Sequence, residues 1–419
     1  MIKTQEQESE FVVGLDVGTS MVRAVVAEVL PDRSLNILGV GTYESKGMKR
    51  GCVTDVEAVV DSIKQAVYKA EASSNIQINS VYCSISGQHI KCKNERGMVS
   101  ISDDVKQEDI EDAIHNAQNI KLPEECNKLL HVVEQNYTID NQTGIKKPIG
   151  MTGYRLEAFV HLIACHADTA KNLEKCIEKV NGIKINSFVF GGLASAKSVL
   201  SQDEQDIGVC LVDIGAGTID ITVYIDGILC YSDVFPYAGF IATNDLAVAI
   251  STPLPVAEMV KIEHGTVNLD KYQEKQKITI RSVSGKEGTI SLRLLPQVLN
   301  SRYKELLEYV QVRIKKAQDT LQKNNKSYQL GAGIVFTGGG AKIDGLLDLA
   351  QSIFNCPVRI GQPNVNKGLY DIVNHPEFST AVGLLIYGSQ NHEYRKQEHN
   401  GNAKWWSLKG LFKKLKEMY

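Results

Sequence analysis

Short runs of alternating apolar and polar residues predict strands in the first part of the chain, and longer runs with three-to-four-residue spacing predict helices. The segment FVVGLDVGTSMVRAVVAEVL at 11–30 predicts a strand, a tight glycine turn and a second strand, because β-branched residues flank the central glycine. The apolar spacing over 55–73 predicts a helix. SVYCSISG at 80–87 predicts the next strand.

The pattern of apolar and polar residues changes between 88 and 160. A charged helix is predicted at 106–118, and short strands are predicted at 131–139 and 154–163, separated by glycine and proline turns. This stretch therefore predicts an inserted module of mixed α and β structure.

The second half of the chain returns to the pattern of the first. A helix at 169–180 and a strand running into a helix at 185–200 lead to GVCLVDIGAGTIDITVYIDGILCYSDVFP at 208–236. That segment predicts a strand, a glycine turn, a strand, a hairpin turn at Asp226-Gly227 and a third strand.

The remaining patterns are less regular. Residues 239–310 predict polar loops with two proline-containing turns, and a helix closes them at 301–321. A strand, three glycines and a helix are predicted at 331–354, and a last helix at 378–388. The polar segment 389–403 has almost nothing to bury, which is typical of a flexible linker.

Composition narrows the class of protein. The length of 419 residues predicts about two to four domains. The net charge of −3 gives no bulk attraction for nucleic acid, so no such partner is expected. Nine scattered cysteines without a C-x-x-C pair favour free thiols in a reducing compartment. The first ten residues lack the apolar core of a secretory signal, and nowhere do 18 apolar residues run together.

Two segments repeat each other. GLDVGTSMVRAVV at 14–26 and LVDIGAGTIDITVY at 211–224 each place an aspartate at a strand end, then a glycine turn with hydroxyls, then a second strand. Each segment alone is equally consistent with an ordinary β-turn. Together they predict a duplicated domain with a cleft between the halves.

The chemistry expected of such a cleft is that of a polyphosphate site. Glycine turns expose backbone N–H groups to phosphate oxygens, and Thr19, Ser20 and Thr218 add hydroxyl donors. Asp16 and Asp213 suit Mg²⁺, which prefers a few carboxylates plus water. The predicted nucleotide-binding residues are Asp16, Gly18, Thr19, Ser20, Asp213, Gly215, Gly217, Thr218, Gly338, Gly339 and Gly340.

The last three of these form the triple glycine between the strand and the helix of 331–354, where bare backbone would let a flat ring or ribose approach closely.

The sequence does not match other nucleotide-binding motifs. The chain has no G-x-x-x-x-G-K-[ST], and GAGTID lacks the third glycine of the dinucleotide fingerprint and runs into a strand.

At 14–23, 211–220 and 335–345 the chain resembles the two phosphate loops and the adenosine loop of the actin superfamily, which includes actins, MreB, DnaK-type chaperones and sugar kinases. Finer motifs resemble the FtsA family of bacterial cell-division proteins over about 11–388. They are GLDVGTS, SISGQHI, GLASAKSVL, LVDIGAGTIDITVY, GIVFTGGGAKIDGL and STAVGLLIYG.

The resemblance implies an α/β, actin-like duplicated two-domain fold with an ATP cleft, an inserted α+β subdomain and a C-terminal amphipathic helix. The implied subdomains are 1A at 11–84, 163–205 and 358–388; 1C at 85–162; 2A at 206–238 and 311–357; and 2B at 239–310. The linker at 389–403 and the helix at 404–419 follow.

One departure from the wider superfamily concerns hydrolysis. MreB and the chaperones carry a glutamate that positions the attacking water before a helix start, and Gly191 stands at that place in GGLASA. Glycine can neither orient water nor accept its proton. The resemblance therefore implies ATP and Mg²⁺ as ligands, with slow or absent hydrolysis.

The last sixteen residues, KWWSLKGLFKKLKEMY, form an amphipathic pattern. On a helical wheel most of the apolar residues share an arc of about 140°, with five lysines and one glutamate elsewhere. This pattern is typical of an interfacial membrane helix. The predicted membrane-binding residues are Trp405, Trp406, Leu408, Lys409, Leu411, Phe412, Lys413, Leu415 and Lys416.

The resemblance implies an adaptor that polymerises on the cytoplasmic face of the cell (inner) membrane at the division septum. Its implied partners are the FtsZ C-terminal peptide, other copies of itself, anionic lipids, and later division proteins through subdomain 1C. The positions that match the family's peptide site are Asp245 and Arg302.

Two alternatives share the superfamily fold. A PilM-like pilus-assembly adaptor also has the inserted subdomain, but its family lacks the C-terminal amphipathic helix. A sugar-kinase-like phosphotransferase would need a catalytic aspartate facing the γ-phosphate, and 85–162 supplies no convincing one. A chaperone fits least, because no substrate-binding β domain follows the nucleotide-binding part.

Overall fold

The computed structural model describes residues 10–119, 126–323 and 329–399, which form two lobes and an inserted module. Each lobe is built around a mixed β-sheet with helices on its faces. The duplication and the α/β architecture predicted from the sequence are confirmed. The amphipathic helix predicted at 404–419 lies outside the described residues.

The first lobe contains a six-stranded sheet of order β11-β6-β1-β2-β3-β19. Its elements up to the insertion are β1 Glu10–Val17, β2 Met21–Val29, β3 Leu35–Glu44, β4 Met48–Lys49, β5 Cys52–Val53, α1 Val56–Ser74 and β6 Ser80–Ile85. After the insertion come α3 Ala167–Glu178, β11 Lys184–Phe190, α4 Gly191–Val199 and α5 Gln202–Ile207.

The second lobe contains a five-stranded sheet of order β14-β13-β12-β17-β18. Its elements are β12 Val209–Ile214, β13 Ile219–Ile225, β14 Ile228–Phe235, α6 Gly239–Ala249, α7 Leu254–His264, β15 Lys277–Arg281, β16 Glu287–Ser291, α8 Leu294–Lys323, β17 Gly333–Thr337, α9 Leu346–Phe354 and β18 Val358–Ile360. The chain then returns to the first lobe through β19 Lys367–Gly368, α10 Tyr370–Val373 and α11 Ser379–His399.

The two repeated segments fold alike. β1 pairs antiparallel with β2 and parallel with β6, while β12 pairs antiparallel with β13 and parallel with β17. In both units the aspartate at the strand end lies opposite the residue seven positions later. The two glycine turns therefore occupy equivalent places in the two sheets.

The inserted module has its own sheet and its own core. Its elements are β7 Ile90–Ser100, α2 Gln107–Gln118, β8 Lys128–Ile139, β9 Gln142–Ile145 and β10 Arg155–Cys165. The strand order is β7-β10-β8-β9, and buried residues of α2 share a core with the sheet. The predicted inserted α+β module is confirmed, although β7 was missed because its polar residues hide the alternation.

Side chains of the inserted module also contact the second lobe. The Asn94 side-chain amide donates to the Cys230 carbonyl at 2.8 Å, and that of Gln135 donates to the Leu229 carbonyl at 2.8 Å. The buried His161 ring lies 2.6 Å from the Ser232 hydroxyl through Nε2. The module is thus inserted in one lobe and bound to the edge strand β14 of the other.

The region 239–310 differs from the polar loops that were expected. It contains the helices α6 and α7, a two-stranded ribbon of β15 and β16, and the start of α8 at Leu294 rather than at 301. α6 is apolar on nearly all sides, so it has no helical period to detect. The prolines Pro253 and Pro255 begin α7, because proline fits the first turn of a helix.

Two boundaries near the C-terminus also differ. Val358–Ile360 pairs with β17 in the second sheet, and the return to the first lobe follows it. The expected linker at 389–403 is helical as far as His399, because α11 continues through it. The stretch Ser389–His399 is polar but holds no glycine or proline, and it ends before Asn400-Gly401.

Among the described helices, none is by itself long and apolar enough to cross a bilayer. The bent pair formed by α6 and α7 meets that criterion only when the two helices are counted together.

Candidate functional site

The cleft between the lobes holds a cavity of about 520 Å³, a size typical of small-ligand sites. Every residue predicted to bind nucleotide lines this cavity, although the residues come from three distant parts of the chain. They are Asp16, Gly18, Thr19, Ser20, Asp213, Gly215, Gly217, Thr218, Gly338, Gly339 and Gly340.

The first glycine turn joins β1 to β2. The Gly18 N–H donates to the Met21 carbonyl at 3.1 Å, which closes the turn. A Cβ at Gly18 would come 2.8 Å from that same carbonyl oxygen. The tight turn leaves Thr19 and Ser20 on the wall of the cavity.

The second turn joins β12 to β13 and also fixes the start of α6. The Gly215 N–H donates to the Thr218 carbonyl at 3.0 Å, and the Phe240 N–H donates to the Ala216 carbonyl at 2.8 Å. A side chain at Gly217 would collide with Thr19 of the first turn. The two turns therefore face each other across the cleft, and they approach so closely at Gly217 and Thr19 that no further side chain fits between these two residues.

The triple glycine follows β17. Gly338 has a φ of +85°, and a Cβ there would collide with the Asp213 carboxylate. The sequence predicted that the glycines open a helix directly. Instead they enter a 3₁₀ turn at Gly339–Lys342, and α9 begins only after Gly345, whose φ is +83°.

Three carboxylates meet at the floor of the cleft, and each accepts a hydrogen bond from a serine. Ser84 donates to Asp16 at 2.7 Å, Ser195 donates to Asp213 at 2.5 Å, and Ser86 donates to Asp220. The third carboxylate, Asp220, was not predicted from the sequence. Its signal was the register, because Asp220 lies directly opposite Asp213.

Burial dominates the titration of these carboxyl groups. Burial raises the pKa of Asp213 to about 6, since the hydrogen bond from Ser195 offsets only part of the desolvation. Burial also raises the pKa of Asp220 well above its usual range, and the neighbouring Asp213 adds to that rise. For Asp16 burial raises the pKa, with Arg23 and Ser84 acting in the opposite direction.

This cluster of acids is suited to a cation, because a positive charge would relieve the mutual repulsion of the carboxylates. Within residues 10–119, 126–323 and 329–399, however, no three acidic, histidine or cysteine side chains are grouped closely enough to ligate a metal directly. A magnesium ion would therefore need water and phosphate oxygens as its other ligands.

The far wall of the cavity is formed by side chains that no sequence motif marked. The Lys261 ammonium group donates to Glu258 at 2.7 Å and to the Thr243 hydroxyl at 2.7 Å. Lys342 forms an ion pair with Glu377 at 2.8 Å. These polar groups lie on α7 and beside the triple glycine, where a single sequence gives no spacing to recognise.

Gly191 lies at the start of α4 and lines the cavity. A Cβ at this position would come 2.6 Å from the Asp220 carboxylate. Glycine at this position therefore leaves room for the Asp220 carboxylate, which a larger residue would force to shift.

Asp245 and Arg302 do not line the cavity. They lie on α6 and α8, where the Arg302 guanidinium donates to the Asp245 carboxylate at 2.5 Å and also pairs with Glu305. All three side chains remain partly exposed. The two predicted peptide contacts are thus neighbours that form one surface ion pair. The predicted membrane residues between 405 and 416 lie outside the described part of the chain.

Comparison with known proteins gives consistent results. The family model described as "Cell division protein FtsA" matches residues 210–383, and "SHS2 domain inserted in FTSA" matches residues 87–164. The chain is 45% identical over 394 residues to cell division protein FtsA of Escherichia coli K12, covering 94% of this chain and 93% of the relative. The corresponding protein of Pseudomonas aeruginosa is 40% identical over 386 residues, covering 92% and 90%.

Solved structures support the fold. A type IV pilus PilM–PilN complex aligns with a TM-score of 0.64 at 16% identity, covering 90% of this chain and 98% of the other. MreB5 of Spiroplasma citri bound to ADP aligns with a TM-score of 0.52 at 16% identity, covering 95% and 100%. At 16% identity, the similarity to PilM shows a shared fold alone. The identity of 45% and 40% to the two FtsA relatives shows the family. The chain belongs to the FtsA family of bacterial cell-division proteins.

Proposed function

We propose that this protein binds ATP and Mg²⁺ in the interlobe cleft, polymerises on the cytoplasmic face of the cell membrane, and anchors FtsZ there at the division septum. The observation that carries the nucleotide part is the convergence of eleven predicted residues from three chain segments on one cavity. Asp16 and Asp213 would hold the magnesium ion through water, and bare glycine backbone would surround the phosphates.

The cavity residues fit this ligand by their chemistry. The two opposed glycine turns offer backbone N–H groups, and Thr19 and Thr218 offer hydroxyls to phosphate oxygens. Gly338, Gly339, Lys261 and Glu258 line the same cavity and would contact the rest of the nucleotide. Bound magnesium would supply charge neutralisation for the polyphosphate, and the chain's own residues orient and enclose it.

Hydrolysis is proposed to be slow. Gly191 has no side chain to orient a water molecule, and the nearby Asp220 is held by Ser86. Burial and the neighbouring Asp213 raise the pKa of Asp220, and its carboxyl group is already engaged by the Ser86 hydroxyl. ATP would then act mainly as a conformational ligand that favours the polymer-forming state.

The C-terminal segment is proposed to bind the membrane surface. Large apolar side chains contribute roughly 1.5–3 kcal/mol each when fully buried, and each lysine adds about 1 kcal/mol near anionic lipid. Ordering a short helix offsets part of that gain. A single tail would therefore bind weakly, and a polymer of tails would bind tightly through effective concentration.

The FtsZ C-terminal peptide is proposed to bind beside Asp245 and Arg302, and later division proteins at the inserted module. The ion pair presents a cation and two carboxylates on one face of α6 and α8. A peptide carrying both charge signs could bind there by exchanging contacts with that pair.

The nucleotide proposal predicts that Asp213→Asn weakens binding of ATP with Mg²⁺ by tenfold or more, roughly 1.4 kcal/mol. The amide keeps the shape but removes the charge that a hydrated magnesium ion needs. Titration of a fluorescent ATP analogue with Mg²⁺ and with EDTA measures the effect. Asp226→Asn, in the β13–β14 hairpin, is the matched control and should leave affinity unchanged. Equal affinity of the Asp213 variant would contradict the assignment.

The hydrolysis proposal predicts that phosphate release by the purified protein stays below about one per minute, far under the ~10 per second typical of enzymes. The measurement is a continuous phosphate assay with saturating ATP and Mg²⁺. The Asp213→Asn variant, prepared in parallel, gives the rate due to contaminating enzymes. A wild-type rate of several per second above that background would refute slow turnover.

The membrane proposal predicts that the full-length chain sediments with anionic vesicles in the presence of ATP and Mg²⁺, and that a 1–403 truncation does not. Phe412→Ala should reduce sedimentation, because it removes apolar area, while Ser407→Ala should not. Replacing anionic with neutral lipid should also weaken binding, because the lysines then lose their partners. Equal sedimentation of the full-length and truncated chains would show that the tail is not the anchor.

The peptide proposal predicts that Asp245→Arg and Arg302→Asp each weaken binding of the FtsZ C-terminal peptide about tenfold, measured by fluorescence anisotropy. The double variant restores an ion pair with its charges exchanged. If the pair contacts the peptide, the double variant should still bind the peptide weakly. Recovery of wild-type affinity in the double variant would show that the pair only stabilises the fold.

A further inference from the structure

The carboxylate of Asp213 belongs to the second lobe, but its Oδ2 atom is bound from the first. It accepts a hydrogen bond from the buried Ser195 of α4 at 2.5 Å and another from Thr380 of α11 at 3.2 Å. The two hydroxyls lie 3.0 Å from each other. Both donors therefore converge on one oxygen of the residue proposed to hold magnesium.

Thr380 is in the first turn of α11, which is continuous from Ser379 to His399. From Thr380 the helix extends about 28 Å away from the cleft, at 1.5 Å per residue. The chain reaches the amphipathic segment 404–419 five residues after the helix ends. One helix thus begins at the proposed metal carboxylate and leads toward the proposed membrane anchor.

The inner half of α11 is tightly packed, so it has little room to bend. A Cβ at Gly383 would collide with the Ala194 carbonyl of α4, and one at Gly14 would come 2.6 Å from the Ala381 carbonyl. The Tyr387 ring lies edge-on to the rings of Tyr82 and His131, at 6.1 and 5.7 Å. A packed helix of this kind transmits a displacement at one end instead of absorbing it.

We propose, building on the nucleotide and membrane functions proposed above, that Ser195 and Thr380 are positioning residues that couple the cleft to α11. Asp213 would hold the magnesium of a bound nucleotide through water, which would fix its carboxylate, and the two hydroxyls would then hold the first turn of the helix. Cleft occupancy thereby stabilises one position of α11. We extend the coupling from α11 to the tail that follows it. Reciprocity then requires membrane binding by the tail to strengthen nucleotide binding by the same factor.

The alternative hypothesis is that the two hydroxyls only satisfy the hydrogen-bonding needs of a buried carboxylate. Substitutions at Thr380 distinguish this structural role from the coupling role. Thr380→Ser keeps the hydroxyl and must preserve the coupling, whereas Thr380→Val keeps the shape and must abolish it. Ser389→Ala is the matched control on the same helix, because the Ser389 hydroxyl donates within α11, to the Ile386 carbonyl at 2.9 Å.

The first test is hydrogen–deuterium exchange of the full-length protein without vesicles, with and without saturating non-hydrolysable ATP analogue and Mg²⁺. Nucleotide should slow amide exchange in 384–395 severalfold in the wild type, in Thr380→Ser and in Ser389→Ala. In Thr380→Val, with the ATP analogue also at saturation, nucleotide should no longer slow amide exchange in 384–395. Protein concentrations below the onset of sedimentation exclude filament contacts as the cause.

The second test uses the reciprocity. The dissociation constant of the fluorescent ATP analogue is measured with and without anionic vesicles. The wild type should bind at least about fivefold more tightly with vesicles, and Thr380→Val should show no change. A wild type that binds no nucleotide at all would overturn the proposed function itself. Normal nucleotide binding with unchanged α11 exchange, or a vesicle effect retained in Thr380→Val, would overturn the coupling alone.

Discussion

The burial of three carboxylates where the lobes meet constrains the rest of this structure. Asp16, Asp213 and Asp220 lie close enough to raise the cost of ionisation within the group, and each accepts a hydrogen bond from a serine hydroxyl on a neighbouring strand, helix or loop. Such groups tolerate burial only when donors or a cation satisfy them. The strand ends, the start of α4 and the first turn of α11 must therefore all arrive at one point.

That constraint also explains where glycine is needed. Gly191 and Gly338 stand where a side chain would displace one of the carboxylates, and Gly217 stands where it would strike Thr19. Glycine at these places is a packing requirement as well as a way to expose N–H groups to phosphates. At Gly191 the absence of a side chain leaves room for the Asp220 carboxylate.

The sequence was sufficient to predict the duplicated lobes, the insertion and the cleft residues, because repeated strand–turn–strand units leave a strong local pattern. It was insufficient wherever the pattern was set by tertiary contacts. α6 is apolar on almost every side and carries no period, and β7 alternates poorly because most of its residues are polar. Asp220 was missed because its role depends on its register with Asp213, and Thr380 because α11 reaches the cleft from a distant part of the chain.

The contacts between the inserted module and β14 protect one sheet edge from unwanted strand pairing with other chains. β14 is an edge strand, and two of its outward carbonyls, at Leu229 and Cys230, accept hydrogen bonds from amide side chains of the module. Exposed strand edges are templates for unwanted pairing with other chains. The module serves as a cover for this edge without extending the sheet, since side chains rather than a backbone ladder occupy the carbonyls. A chain lacking 88–160 would lose that cover together with the proposed recruitment surface. If such a chain were insoluble, the exposed edge of β14 would be a sufficient cause.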